Sequence, residues 1–188
     1  SNCTNNNLVT GDTQGAGGFL GSLWSNQNMM VTLSQCTNNG NTTRNKDSVA
    51  GFASSIISNK NIIVVFSDCI NNGNVVSGSS YQGGFAGYTF NNKNMTIIVS
   101  RCVNNGNITG SSLYTGGFFG FISGNENTTT TVSNSVNNGN ITGGSYVGGL
   151  VGQIESSNTK DSISFATINS ANKGTVSASS YLSCGLFC

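Results

Sequence analysis

The chain has no histidine and no proline, and only 7% of its 188 residues are charged, against a usual figure of about 25%. Seven Lys+Arg against six Asp+Glu leave a net charge of +1. Binding a polyanion takes a basic stripe that releases counterions, so nucleic acid is not an expected partner. With no His, no Cys-x-x-Cys and cysteines 33 residues apart, no zinc pattern exists. No apolar run approaches the roughly 18 residues of a membrane-spanning helix, so no membrane span is expected. The chain opens at Ser1 without Met or a leader and stops inside a repeat, which reads as a mature piece or an excerpt of something longer.

What is abundant is Asn, Gly and Ser, over an apolar fraction of 36% that is large enough for a core. Disordered low-complexity tracts have such compositions, but they have no reason to place apolar residues in register. Here the register is strict. Stepping back 33 residues at a time from Ser135 gives Cys102, Cys69, Cys36 and Cys3, and a sixth, imperfect copy starts at Ser170. A period this exact means one supersecondary unit stacked on itself.

Each copy holds three β-like segments separated by Asn, Gly and Ser, as in Asn107–Thr109, Gly117–Ile122 and Thr128–Val132. The expected fold is therefore all-β: a single parallel β-solenoid over residues 1–188, of about five and a half 33-residue coils with three short strands each. Equivalent residues form inward columns. The first strand gives Val9, Thr42, Val75, Ile108, Ile141 and Val176, and the second gives Phe19, Phe52, Phe85, Phe118 and Leu150. In the third, Val31, Val64, Ile97, Thr130 and Ile163 alternate with Leu33, Phe66, Val99, Val132 and Phe165. Extra residues near Ala166 to Asn169 are expected to delay the sixth copy. Ankyrin repeats share the period, but need two helices that these Gly-, Thr- and Ile-rich copies cannot supply.

The turns have chemical reasons. Asn71-Asn72-Gly73 and its equivalents are expected at a sharp corner needing positive φ, and Gly83-Gly84 and Gly116-Gly117 where backbones approach closely. Stacked Asn side chains are expected to bond amide to amide. Gly148-Gly149-Leu150-Val151-Gly152, with the Asn/Gly-rich turn, the Ile-Thr-Gly strand and the preceding Tyr146, resembles the motif of GLUG-repeat proteins. Three other copies carry Phe for Leu, and the second ends in Ser54. The resemblance implies a β-solenoid of surface adhesins or of the non-catalytic parts of large secreted proteins, and transfers no catalytic residue.

No cofactor or metal is called for, and no catalytic set is apparent. Asp12, Asp47, Asp68, Glu126, Glu155 and Asp161 fall at different points of the repeat; the densest charge, Arg44-Asn45-Lys46-Asp47, reads as a solvated loop whose alternative is a lyase-like site. Asp68 with Arg101, and Lys93 with Glu126, are expected to pair between neighbouring coils. Outward columns Asn41, Asn74, Asn107, Asn140 and Thr10, Thr43, Val76, Thr109, Thr142 form a flat ladder that could order water, interrupted at Val76. Glycosylation candidates are Asn2, Asn41, Asn94, Asn107, Asn127 and Asn140. The cysteine column Cys3, Cys36, Cys69, Cys102 reads as a reduced ladder, with disulfides between neighbours as the alternative; Cys184 and Cys188 are candidates for an inter-subunit bond.

The leading functional reading is an extracellular or cell-surface structural protein, not an enzyme, extending by head-to-tail contact with its own copies or with flanking domains. The second is an adhesin domain with a glycan ligand, which an exposed groove lined with aromatics would favour. The third is a carbohydrate-active β-helix enzyme.

Overall fold

The computed structural model describes residues 1–11, 15–46, 48–156 and 161–188. The chain is an all-β parallel solenoid, with no helix among the described residues. Its strands form five parallel sheets of six, five, six, six and five strands, so five coils are followed by three strands of a sixth.

Each coil therefore has five strands rather than the expected three. In the third coil they are Ile70–Asn71, Val75–Ser77, Gln82–Gly83, Ala86–Phe90 and Lys93–Ser100. Ile70–Asn71 and Gln82–Gly83 are two residues long. A two-residue strand has no alternation to betray it, so both corners read as turns in the sequence.

Registers follow the repeat. Val75 faces Thr42 and Ile108, and Ile97 faces Val64 and Thr130. The last long strand departs from the expectation: Thr128 faces Ile163 and Thr130 faces Phe165, two residues away from the expected columns. Spacing is still 32 at Ser123 and Glu155, but 35 at Thr128 and Ile163. The extra length thus enters between Glu155 and Ile163, before the strand and not near Ala166 to Asn169, and the strand keeps an apolar face inward by sliding two residues.

Two apolar columns make the core. Phe19, Phe52, Phe85 and Phe118 stack with ring centroids 5.0, 4.7 and 4.9 Å apart, and Phe66 meets Phe85 edge-on at 5.7 Å. Val75, Ile108 and Ile141 line a second, smaller cluster. Each fully buried side chain of this kind contributes roughly 1.5–3 kcal/mol.

Asparagine supplies the polar interior. Asn38, Asn71, Asn104 and Asn137 are fully buried. Asn71 donates through Nδ2 to the Gly73 carbonyl at 2.9 Å and to Asn104 Oδ1 at 2.7 Å, and accepts from Asn38 Nδ2 at 2.8 Å. Burial of an amide is costly without such partners, and the column provides them at every step. A second buried column, Asn59, Asn92 and Asn125, does the same at another corner.

Positive φ is found elsewhere than expected. Neither Asn71 nor Asn72 has it, and Gly124 is the positive-φ glycine among the described residues. Left-handed columns instead run through Gln35, Asp68, Arg101 and Asn134, through Asn28, Asn61, Asn94 and Asn127, and through Tyr81, Tyr114 and Tyr146. Gly73 serves close approach: a Cβ there would run into the Gly40 carbonyl of the coil before. Gly84 likewise faces the Gly117 carbonyl and the Asn104 amide, as the paired glycines lead one to expect.

Candidate functional site

The cysteine column is reduced. Cys36, Cys69 and Cys102 are buried, Cys3 is exposed, and all four are free thiols. Cys69 Sγ donates to the Leu33 and Ser67 carbonyls at 3.3 Å each, and Cys102 Sγ to the Phe66 carbonyl at 3.4 Å and that of Ser100 at 3.3 Å. The hydrogen bond between the Cys69 and Cys102 side chains, reinforced by burial, pushes Cys102 well above an ordinary thiol; its counterpart lowers Cys69. Burial also raises Cys36. Ser135 replaces the thiol by donating Oγ to the Ser133 carbonyl at 2.7 Å. These thiols are structural donors.

Cys184 and Cys188 are bonded to each other within the chain, Cα atoms 5.4 Å apart, and so are not an inter-subunit pair. The turn at Gly185 brings them within disulfide range, and the Leu186 carbonyl inside the loop accepts from the amides of Leu150 at 2.8 Å and Val151 at 3.0 Å.

The sequons fall into two kinds. Asn41, Asn107 and Asn140 are exposed and use Oδ1 to accept a backbone N–H from the next coil, with no partner for Nδ2 among the described residues. Asn94 and Asn127 lie in a left-handed corner where Nδ2, the atom a glycan would occupy, already donates to the preceding coil at 3.0 Å. Asn2 is exposed beside the first coil.

Two charge pairs are seen among the described residues. Arg101 and Asp68 form a two-toothed pair, and Lys93 Nζ lies 2.8 Å from Glu126 Oε1, both between coils as expected. Asp12 and Asp47 lie outside the described residues. Arg44 corrects the picture of a solvated loop: it is buried in column with Ser77, while Asn45 and Lys46 are exposed. Its strand alternates inward, outward, inward from Thr42, and the third place faces in. Among the described residues no three His, Cys, Asp or Glu side chains converge as a metal group would require.

The feature with site-like geometry was missed in the sequence. On one flank, Tyr81, Tyr114 and Tyr146 stack along the solenoid at 5.4 and 5.3 Å, interleaved with Tyr88 and Phe121 at 4.4 and 4.2 Å. Burial raises the phenols of Tyr88 and Tyr114 above the ordinary tyrosine range. The stack stops at the third coil. Beyond it lies a trough of about 290 Å³ lined by Gly15, Ser22, Trp24, Ser48, Ser55, Ile57, Tyr81 and Tyr88.

No family model, no curated protein and no solved structure matches this chain. The GLUG resemblance therefore stands on the motif residues alone.

The sequence does carry a signal for the trough. The places of Tyr81 and Tyr88 are held one coil earlier by Ser48 and Ser55, and two coils earlier by Gly15 and Ser22. The aromatics are lost from two columns together while the core columns persist.

Proposed function

We propose that this chain is an extracellular structural solenoid that extends by coil-on-coil stacking, copies meeting head to tail. The carrying observation is that apolar columns of the core are left partly uncovered at the outermost coils. Phe19, Val31 and Leu33 in the first coil, and Ile163 and Phe165 in the last long strand, are only half-buried members of columns that are fully buried between them. A further coil in register, of another copy or of flanking chain, would cover them.

The buried asparagine column fits the same polarity. In inner coils each Nδ2 donates onward to the next Oδ1; at the ends, Asn172 Nδ2 has the Gly174 carbonyl alone and Asn5 Oδ1 has the Asn7 amide alone, among the described residues. A further asparagine stacked on either end of the column would supply the missing partner there. The GLUG resemblance and the Cys184–Cys188 disulfide support an oxidising, extracellular setting. No reaction belongs to this reading.

Sedimentation velocity of the 188-residue chain tests it. Species growing with concentration are expected, reduced to monomer by Leu33→Arg or Asn172→Asp with circular dichroism unchanged. A wild type that stays monomeric at every concentration would overturn the reading.

A further inference from the structure

We infer that Asn138 is a site of spontaneous covalent modification: the side-chain amide that this fold protects least among four Asn-Gly steps of identical local sequence, and the first to be lost through a cyclic imide with its own backbone. It concerns an exposed corner of the fifth coil and does not rest on the stacking of copies.

Residues Asn38–Asn41, Asn71–Asn74, Asn104–Asn107 and Asn137–Asn140 all read Asn-Asn-Gly-Asn. Asparagine before glycine is the labile case, because a glycine amide unshielded by a side chain can reach the asparagine side-chain carbonyl. The fold needs both residues at this corner. A Cβ at Gly73, Gly106 or Gly139 would run into the carbonyl of the glycine one coil earlier, while the exposed asparagine before each builds an amide ladder along the solenoid. In an unfolded chain the four steps would react alike, so any difference between them in the native chain is set by structure.

The backbone half of the reaction is held equally in all four. Gly40, Gly73, Gly106 and Gly139 donate their N–H to the carbonyls of Asn5, Asn38, Asn71 and Asn104 at 3.2, 3.1, 3.1 and 3.2 Å. The side chains differ. Asn72 donates through Nδ2 to Asn39 Oδ1 and accepts at Oδ1 from Asn105 Nδ2, at 2.8 Å each. Asn39 and Asn105 are likewise held on both sides, Asn39 donating to Asn6 and Asn105 accepting from Asn138. Asn138 donates to Asn105 at 2.8 Å, but its own Oδ1 has no donor among the described residues. The register of Asn137 with Asn172 puts Lys173 one coil on from Asn138, where the earlier steps have asparagine.

The Gly139 nitrogen, giving its proton to solvent base, bonds to Asn138 Cγ. The Cγ–Nδ2 bond breaks and the nitrogen leaves as ammonia. Water then opens the imide at one carbonyl or the other, leaving aspartate or isoaspartate, so amide and water become carboxylate and ammonium with no oxidant or cofactor. Swinging Cγ toward the glycine nitrogen breaks one ladder bond at Asn138 and two at the other three. One more hydrogen bond to break corresponds to a rate about two- to tenfold lower. The new carboxylate arises one coil from Lys173, an exposed cation.

Peptide mapping by mass spectrometry, during long incubation at mildly alkaline pH, follows each step separately. In guanidinium the four are expected to lose ammonia at one rate. In the native chain all four should be slower, with Asn138 at least about twofold faster than Asn39, Asn72 and Asn105. Lys173→Asn, at an exposed position, extends the ladder by one amide; it should bring Asn138 down to the rate of Asn105 and make position 173 the fastest. The wild-type comparison stands without any variant: native Asn138 reacting no faster than the other three would overturn the assignment. So would an unchanged Asn138 rate in folded Lys173→Asn.

Discussion

Arg101 grips both carboxylate oxygens of Asp68 across one coil, Nε to Oδ1 at 2.6 Å and Nη2 to Oδ2 at 2.8 Å, from matching left-handed positions with φ of 52° and 54°. The hydrogen bonds from Arg101 hold the Asp68 carboxyl below the usual carboxylate range and raise Arg101 in return. A folded-state pKa below the unfolded value of about 3.9 means that the stabilisation is complete above that pH and is lost as the folded carboxylate protonates. The melting-temperature difference between wild type and Asp68→Asn should be small, constant between about pH 7 and pH 5, and absent at the acid end. A difference that grew on acidification would contradict the pairing.

Phe85→Ala should cost about 3–5 kcal/mol by urea denaturation, since Phe52 and Phe118 hold the cavity open from both sides. Phe19→Ala, at the half-buried end of the same column, should cost distinctly less. Equal losses at the two positions would argue against a continuous stack.

The asparagine column makes a sharper prediction. Asn71→Leu takes one of two acceptors from Asn38 Nδ2, which keeps the Gly40 carbonyl, and removes the Asn71 donor from Asn104 Oδ1, a buried group whose loss of a partner costs about 1–3 kcal/mol. Asn138→Leu, in the exposed ladder where Asn138 donates to Asn105 at 2.8 Å, should cost under about 0.5 kcal/mol. Denaturant midpoints would separate the two, and coinciding midpoints would show that the ladder is ornamental.

Glycan occupancy follows the amide geometry. Expressed through a eukaryotic secretory pathway, the chain should carry glycans on Asn41 and on one of Asn107 and Asn140, which are a single coil apart and would crowd. Asn94 and Asn127 should stay bare, because their Nδ2 groups are committed to the ladder. Glycopeptide mass spectrometry decides, and full occupancy at Asn94 would count against this division.

Iodoacetamide should label Cys3 in the native chain, and Cys36, Cys69 and Cys102 only after denaturation. Native labelling of Cys69 at the rate of Cys3 would mean that the column opens on its own.

The sequence alone determined the coil and most of its columns. In parallel in-register stacking, residue i lies on its counterpart one period later, so Phe52 over Phe85, Asp68 beside Arg101 and the thiol ladder could all be read from spacing. What lies within a coil could not. Whether Asn71 turns a corner or points inward from a two-residue strand depends on backbone angles that Asn tolerates in both states, and the same holds for Arg44 at the third place of its strand. The slide of Ile163 under Thr128 was settled by which face the apolar residues bury, not by the nominal period. The trough was decided by tertiary structure too. Ser48 and Ser55 are unremarkable in the chain, and come to line the trough only because folding brings two separate segments of the coil, at Tyr81 and Tyr88, together.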